Sequence, residues 1–191
     1  MIGIKWFKTP ISFVGLAVVL LSCEPVIEMP FEIYTIPKGK HYSTYKTEFL
    51  QADYLAFDAQ FDESAQYISS TEENQWDTNK LFGFADCNSH HHDNSVRFGW
   101  RWIDDRIEIL AYCYVNGERI IEQIGITHPG EVNQYRIELT DTEYRLTMDS
   151  NSVSIPRTKP CDRGAYYLLF PYFGGDETAP HDISILIRRE Y

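Results

Sequence analysis

Val96-Arg97-Phe98-Gly99-Trp100-Arg101-Trp102, followed by Ile107-Glu108-Ile109-Leu110-Ala111-Tyr112-Cys113-Tyr114-Val115-Asn116-Gly117, is the stretch that decides the fold. In its first half apolar Val96, Phe98, Trp100 and Trp102 alternate with Arg97, Gly99 and Arg101. In its second half Ile107, Ile109, Ala111, Cys113 and Val115 alternate with Glu108, Leu110, Tyr112 and Tyr114. A period of two puts one set of side chains on a core face and the other on the opposite face of a strand. Asn116-Gly117 supplies the φ-positive pair that a tight hairpin needs, so Arg119–Ile126 reads as the returning strand.

The same period continues outward. Tyr135-Ile137-Leu139, Tyr144-Leu146-Met148, Val153-Ile155, Ala165–Phe170 and Ile183-Ile185-Ile187 are further strands separated by polar turns, and Lys80–Phe84 precedes the opening stretch. Residues 47–68 fit both periods. A strand from Leu55 is the better reading, because no capping residues bracket a helix there. Short strands spaced by about ten residues predict an all-β sandwich or barrel. The chain has 191 residues, enough for one domain with a sizeable core. Its 15% aromatic content excludes disorder, and its net charge of −11 argues against a phosphate-backbone partner, so no nucleic acid is expected.

The N-terminus reads as an address. Lys5 and Lys8 precede the apolar run Ile11–Leu21, which is short for a membrane span, and Ser22-Cys23 follows. Leu20-Leu21-Ser22-Cys23 resembles the bacterial lipobox, which implies lipidation of Cys23. The expected organisation is a lipoprotein signal peptide over 1–22, a lipidated tether over 23–30 and a β-sandwich over 31–191. The membrane partner is then the lipid anchor, and the expected location is the cell envelope, at the outer membrane, on either face. Removing the leader takes two lysines and no acid, so the mature chain is more acidic still.

Three groups of residues carry chemical potential. The loop Asp86–Asn94 holds His90, His91 and His92, imidazoles that suit a transition metal. In extended backbone neighbouring side chains diverge, so only His90 and His92 are expected to share a face, and a polar loop is the plainer reading. Arg97, Arg101, Tyr112 and Tyr114 project from the face opposite the core, where tyrosine rings can stack on sugars and guanidinium groups can pair with uronate carboxylates. Cross-strand pairing within the sheet accounts for them equally well. The segment after Gly174-Gly175 offers Asp176, Glu177 and Asp182 as hard oxygen ligands for Ca²⁺, against the plainer reading of a structured turn with no cofactor. Of the remaining cysteines, Cys87, Cys113 and Cys161, Cys113 sits on the core phase, and three thiols leave one unpaired whatever the pairing. An imidazole beside Cys87 could activate its thiol as a nucleophile, but neither a third group nor an oxyanion site is evident in the sequence.

Two segments, NKLFGFADCNSHHHDNSVRFGWRW (79–102) and PYFGGDETAPHDISI (171–185), resemble lipoproteins of the Bacteroidota and, more distantly, the concanavalin-like jelly rolls of glycan-binding and glycan-cleaving proteins. The resemblance implies two packed antiparallel sheets, one of them concave. It does not extend to the catalytic signatures. The paired carboxylates of jelly-roll glucanases have no counterpart, Asp104-Asp105-Arg106-Ile107-Glu108 having the wrong spacing. Gln123-Ile124-Gly125 stands where jelly-roll alginate lyases carry a histidine, and Tyr172-Phe173-Gly174 lacks the lysine that follows in them. The leading expectation is therefore a non-catalytic, lipid-anchored domain binding a glycan or a surface protein. The alternative is a lyase or hydrolase of an acidic polysaccharide, with Arg97 or Arg101 neutralising a carboxylate, His92 as base and Tyr112 or Tyr114 as acid.

Overall fold

The computed structural model describes residues 29–44, 46–157 and 166–190. Cys23, the leader, most of the tether and Cys161 lie outside the described residues. The described residues form twelve strands: β1 (Glu32–Ile36), β2 (Phe49–Leu50), β3 (Tyr54–Phe61), β4 (Asn79–Ala85), β5 (Ser95–Ile103), β6 (Arg106–Val115), β7 (Glu118–Thr127), β8 (Val132–Leu139), β9 (Glu143–Met148), β10 (Asn151–Pro156), β11 (Tyr166–Leu169) and β12 (Ile183–Glu190). They form two six-stranded sheets, ordered β1-β12-β3-β8-β9-β10 and β2-β11-β4-β5-β6-β7. Every pairing is antiparallel. The ambiguous stretch is a strand from Tyr54, and among the described residues helix is confined to one 3-10 turn and the four residues of α1 (Glu72–Gln75). Among the described residues no helix is long and apolar enough to cross a membrane.

The inward phase of each strand meets its counterpart across the sandwich. Phe57 of β3 stacks on Tyr135 of β8 at 5.1 Å and meets Phe82 of β4 edge-on at 5.2 Å. Phe61 packs on Trp100 of β5 at 5.1 Å. All five rings are essentially inaccessible, and burying each contributes roughly 1.5–3 kcal/mol. Cys113 lies in the same core as a free thiol, and burial pushes its pKa up to about 12.

One polar cluster sits inside this apolar layer. Asp86, just beyond β4, accepts hydrogen bonds from the Tyr144 hydroxyl (2.6 Å), from Arg157 Nε (2.7 Å) and Nη2 (3.1 Å), and from the Cys87 amide (2.7 Å). It ties the end of β4 in one sheet to β9 and the end of β10 in the other. A buried carboxylate is tolerated because its lone pairs are met by a guanidinium and two further donors.

Candidate functional site

The outer face of the β4-β5-β6-β7 sheet carries the second set of alternating residues. On β5 and β6 the partners are Arg97↔Tyr112 and Ser95↔Tyr114, and on β6 and β7 they are Tyr112↔Ile121 and Tyr114↔Arg119. The Arg97 guanidinium lies 5.1 Å from the centre of the Tyr112 ring. Although it points away from the core, Arg97 is only 6% exposed. Gly83 faces it across the sheet; a Cβ there would stand 2.2 Å from the Val96 carbonyl and 2.4 Å from Arg97 Cα, so only glycine admits this approach.

Lys80 reaches the same place through an irregularity. Between Lys80 and Gly83 the pairing of β4 with β5 slips, so that Leu81 and Phe82 together oppose Phe98. This bulge lets both apolar residues enter the core while Lys80 turns outward. Its Nζ sits 4.8 Å from the Tyr112 ring centre and 5.6 Å from that of Tyr172. Tyr172 is brought there by a backbone pair with Lys80 (2.8 and 3.0 Å), and Gly174 donates to Asn79 Oδ1 at 2.8 Å. A Cβ at Gly174 would meet the Thr78 carbonyl at 2.0 Å and Lys80 Nζ at 2.5 Å, which accounts for the glycine.

A cavity of about 260 Å³ is lined by Lys80, His91, His92, Arg97, Tyr112, Tyr172 and Gly175. A second, of about 300 Å³, continues it past His91, Arg97 and Tyr172 toward Tyr42, Lys46 and Tyr167. Its electrostatics are opposite in sign to those of the whole chain. Burial, with Arg97 adding to it and Asp77 partly opposing, lowers the Lys80 pKa to about 8. Burial and the same Arg97 lower His91 to about 4, and His92 is lowered as well. Tyr112 is raised, chiefly by burial and then by Tyr114. Among the described residues no carboxylate ion-pairs with Lys80 or Arg97, and Arg97 Nε has no hydrogen-bond partner.

The residues singled out by sequence divide clearly. Arg97, Tyr112 and His92 share the groove, and Tyr114 borders it, with its ring 5.2 Å from His92 and 5.9 Å from Tyr112. Arg101 does not join them. It pairs with Glu108 at 2.8 Å and lies over Trp76 at 4.8 Å, so cross-strand pairing is its role. The histidine aimed into the groove is His91 rather than His90, because Asp86–Asn94 is a compact turn and not extended chain. Cys87 is disulfide-bonded, which removes it as a nucleophile.

Asp176, Glu177 and Asp182 do not converge. Glu177 accepts from Ser70 and Asn74, and Asp182 from the Lys38 amide at 2.7 Å; among the described residues the one cluster of three metal-capable side chains is His90, His91 and His92. Lys80, Arg119 and Tyr167 were not singled out by sequence, and His91 and Tyr172 were read there without a place in the groove. Lys80 left a signal, as the one charge in the run Lys80–Phe84.

No known family model and no curated protein matches the sequence. Solved structures do match the fold. The alginate lyase AlyC3 superposes with a TM-score of 0.60 over 84% of this chain and 74% of its own, at 9% identity. A polysaccharide lyase of family 18 gives 0.51 over 88% and 91%, also at 9%. A non-specific endo-β-1,3(4)-glucanase of family GH16 gives 0.50 over 74% and 58%, at 11%. At such identities the likeness shows the fold alone: this chain is a concanavalin-like jelly roll whose similar structures include polysaccharide lyases and a glycoside hydrolase.

Proposed function

We propose that the groove on the outer face of the β4-β5-β6-β7 sheet binds an acidic polysaccharide, a uronate-containing chain above all. The observation that carries this reading is the pair Lys80 and Arg97, two buried cations that form no ion pair with a carboxylate among the described residues, Asp77 acting on Lys80 only from beyond ion-pair distance. A buried charge is costly unless paired, and a uronate carboxylate would supply the missing partner. Tyr172, partly exposed beside Lys80, offers a ring suited to a sugar face, while Tyr112 lies buried beneath the two cations. Affinity electrophoresis on alginate, pectin and hyaluronan against neutral glucans tests it. Retention on the acidic gels that is lost in Arg97→Ala is expected; equal migration on all gels refutes it.

One further observation favours chemistry on the bound chain. His91 and His92, with lowered pKa values, line the same cavity as Arg97 and Tyr112. In β-elimination a neutral imidazole removes the proton beside the carboxylate, the guanidinium stabilises the resulting charge, and a phenol protonates the departing glycosidic oxygen. Incubation with acidic polysaccharides would then build up unsaturated uronate absorbance, abolished in Tyr112→Phe. Binding without any such absorbance leaves the groove a recognition site.

The leader supports anchoring of this domain to the cell envelope through a lipid on Cys23, with about eight residues of tether before β1. Cys23→Ala is expected to move the protein from the membrane fraction to the soluble one, and unchanged partitioning counts against the anchor.

A further inference from the structure

Three consecutive histidines on a strand would point to alternate sides, but here the chain turns. Cys87 and Asn88 both adopt positive φ (58° and 50°), and Asp93 and Asn94 donate backbone hydrogen bonds to the His90 carbonyl at 2.8 and 3.2 Å. The Ser95 hydroxyl donates to the His91 carbonyl at 2.7 Å, and the Gly117 amide to Asp93 at 2.9 Å. The buried Asp86–Arg157 pair and the Cys87 disulfide fix the entry to the turn. The three rings are consequently gathered, with centroids 4.2 Å apart for His90 and His91, 4.4 Å for His91 and His92, and 5.1 Å for His90 and His92. One ring nitrogen from each lies within 4.8 Å of the others.

We propose that His90, His91 and His92 form a three-imidazole site for a divalent transition ion, zinc in the first place, at the lip of the groove. Tetrahedral zinc with bonds near 2.0–2.1 Å needs ligand nitrogens roughly 3.4 Å apart. The two exposed rings can close the difference by side-chain rotation alone. A metal-bound histidine usually has its other ring nitrogen held by an oxygen. His91 Nδ1 lies 3.0 Å from the Tyr167 hydroxyl, which also accepts from the His91 amide at 2.9 Å. Tyr167 therefore fixes this ring and leaves its Nε2 to the ion.

The neighbouring charges sharpen the choice of ion. Lys80 and Arg97 line the same cavity, so a hard cation held by electrostatic attraction is disfavoured. A transition ion held by nitrogen donation from neutral imidazoles tolerates them better. Three protein ligands leave a fourth position for water or an anion. The site shares His91 and His92 with the groove, so an ion held there takes these imidazoles out of use as a base, but ion binding is measured without any glycan.

The test is calorimetric titration of the untagged protein with zinc, without glycan, beside a cobalt titration followed by visible absorption. One zinc per chain, the intense absorption of tetrahedral cobalt, and no heat from Ca²⁺ are expected. The double variant His90→Gln/His92→Gln, both positions being exposed, is expected to keep its thermal midpoint and lose saturable zinc binding. Tyr167→Phe should weaken zinc by about tenfold. Absence of saturable zinc binding, or equal affinity in the double variant, overturns the site whatever the glycan experiments show.

Discussion

Lys80 is the residue in which function and stability oppose each other most clearly. It is 9% exposed and its pKa falls to about 8 from an ordinary 10.5. Between those two values the unfolded chain holds a proton that the folded one has released, so stability rises with pH across that window. Below about pH 8 the full cost of burying the ammonium is present. Lys80→Met keeps the side-chain length and removes the charge. Urea unfolding at pH 7 should show it about 2 kcal/mol more stable than the parent, the gap narrowing at pH 9.5, while retention on acidic glycan gels is lost. A variant that is less stable at pH 7 would show that the ammonium is satisfied by something other than a ligand. Sequence reading missed this residue for a definite reason. Strict alternation places Lys80 on the same face as Phe82 and Phe84, and only the bulge in β4 separates them.

At the scale of elements, the strands were legible and their irregularities were not. Period-two runs located β5, β6, β8, β9 and β12 because one face of each is buried, and Asn116-Gly117 marked the hairpin between β6 and β7. The turn at Asp86–Asn94 was legible only as polar. Its shape comes from contacts remote in sequence, chiefly Asp86 with Tyr144 and Arg157, 58 and 71 residues away. Asp86→Ala would leave the Arg157 guanidinium, 8% exposed, without its buried counter-charge. The expected cost is about 3–5 kcal/mol by chemical denaturation, against roughly 1.5–3 kcal/mol for Tyr144→Phe, which deletes one hydrogen bond to a charged group. Equal small losses in both would mean that the cluster does not lock β4 to β9 and β10. The same reasoning explains Arg101: both arginines of β5 face outward, but Glu108 stands across from Arg101 and Tyr112 across from Arg97, so one is paired and the other left for the groove.

For the whole molecule, the net charge of −11 and a cationic groove act at different ranges. A polyuronate bound as proposed would be repelled by the net charge at a distance and would meet Lys80 and Arg97 only within the groove. The Debye length shrinks from about 30 Å at 0.01 M salt to about 8 Å at 0.15 M. Long-range repulsion is therefore screened over this interval, while pairs formed inside a partly dehydrated cavity are screened much less. The association rate constant on an immobilised oligouronate, followed by an optical biosensor, should rise as salt increases from 0.01 to 0.15 M. A protein with a uniformly basic binding face behaves oppositely, because its steering is attractive at all distances. Arg97→Ala should chiefly accelerate dissociation, since it removes a contact rather than a long-range field. An association rate that falls with salt would mean that attraction already dominates at long range, and that the acidity of the chain does not govern approach to the groove.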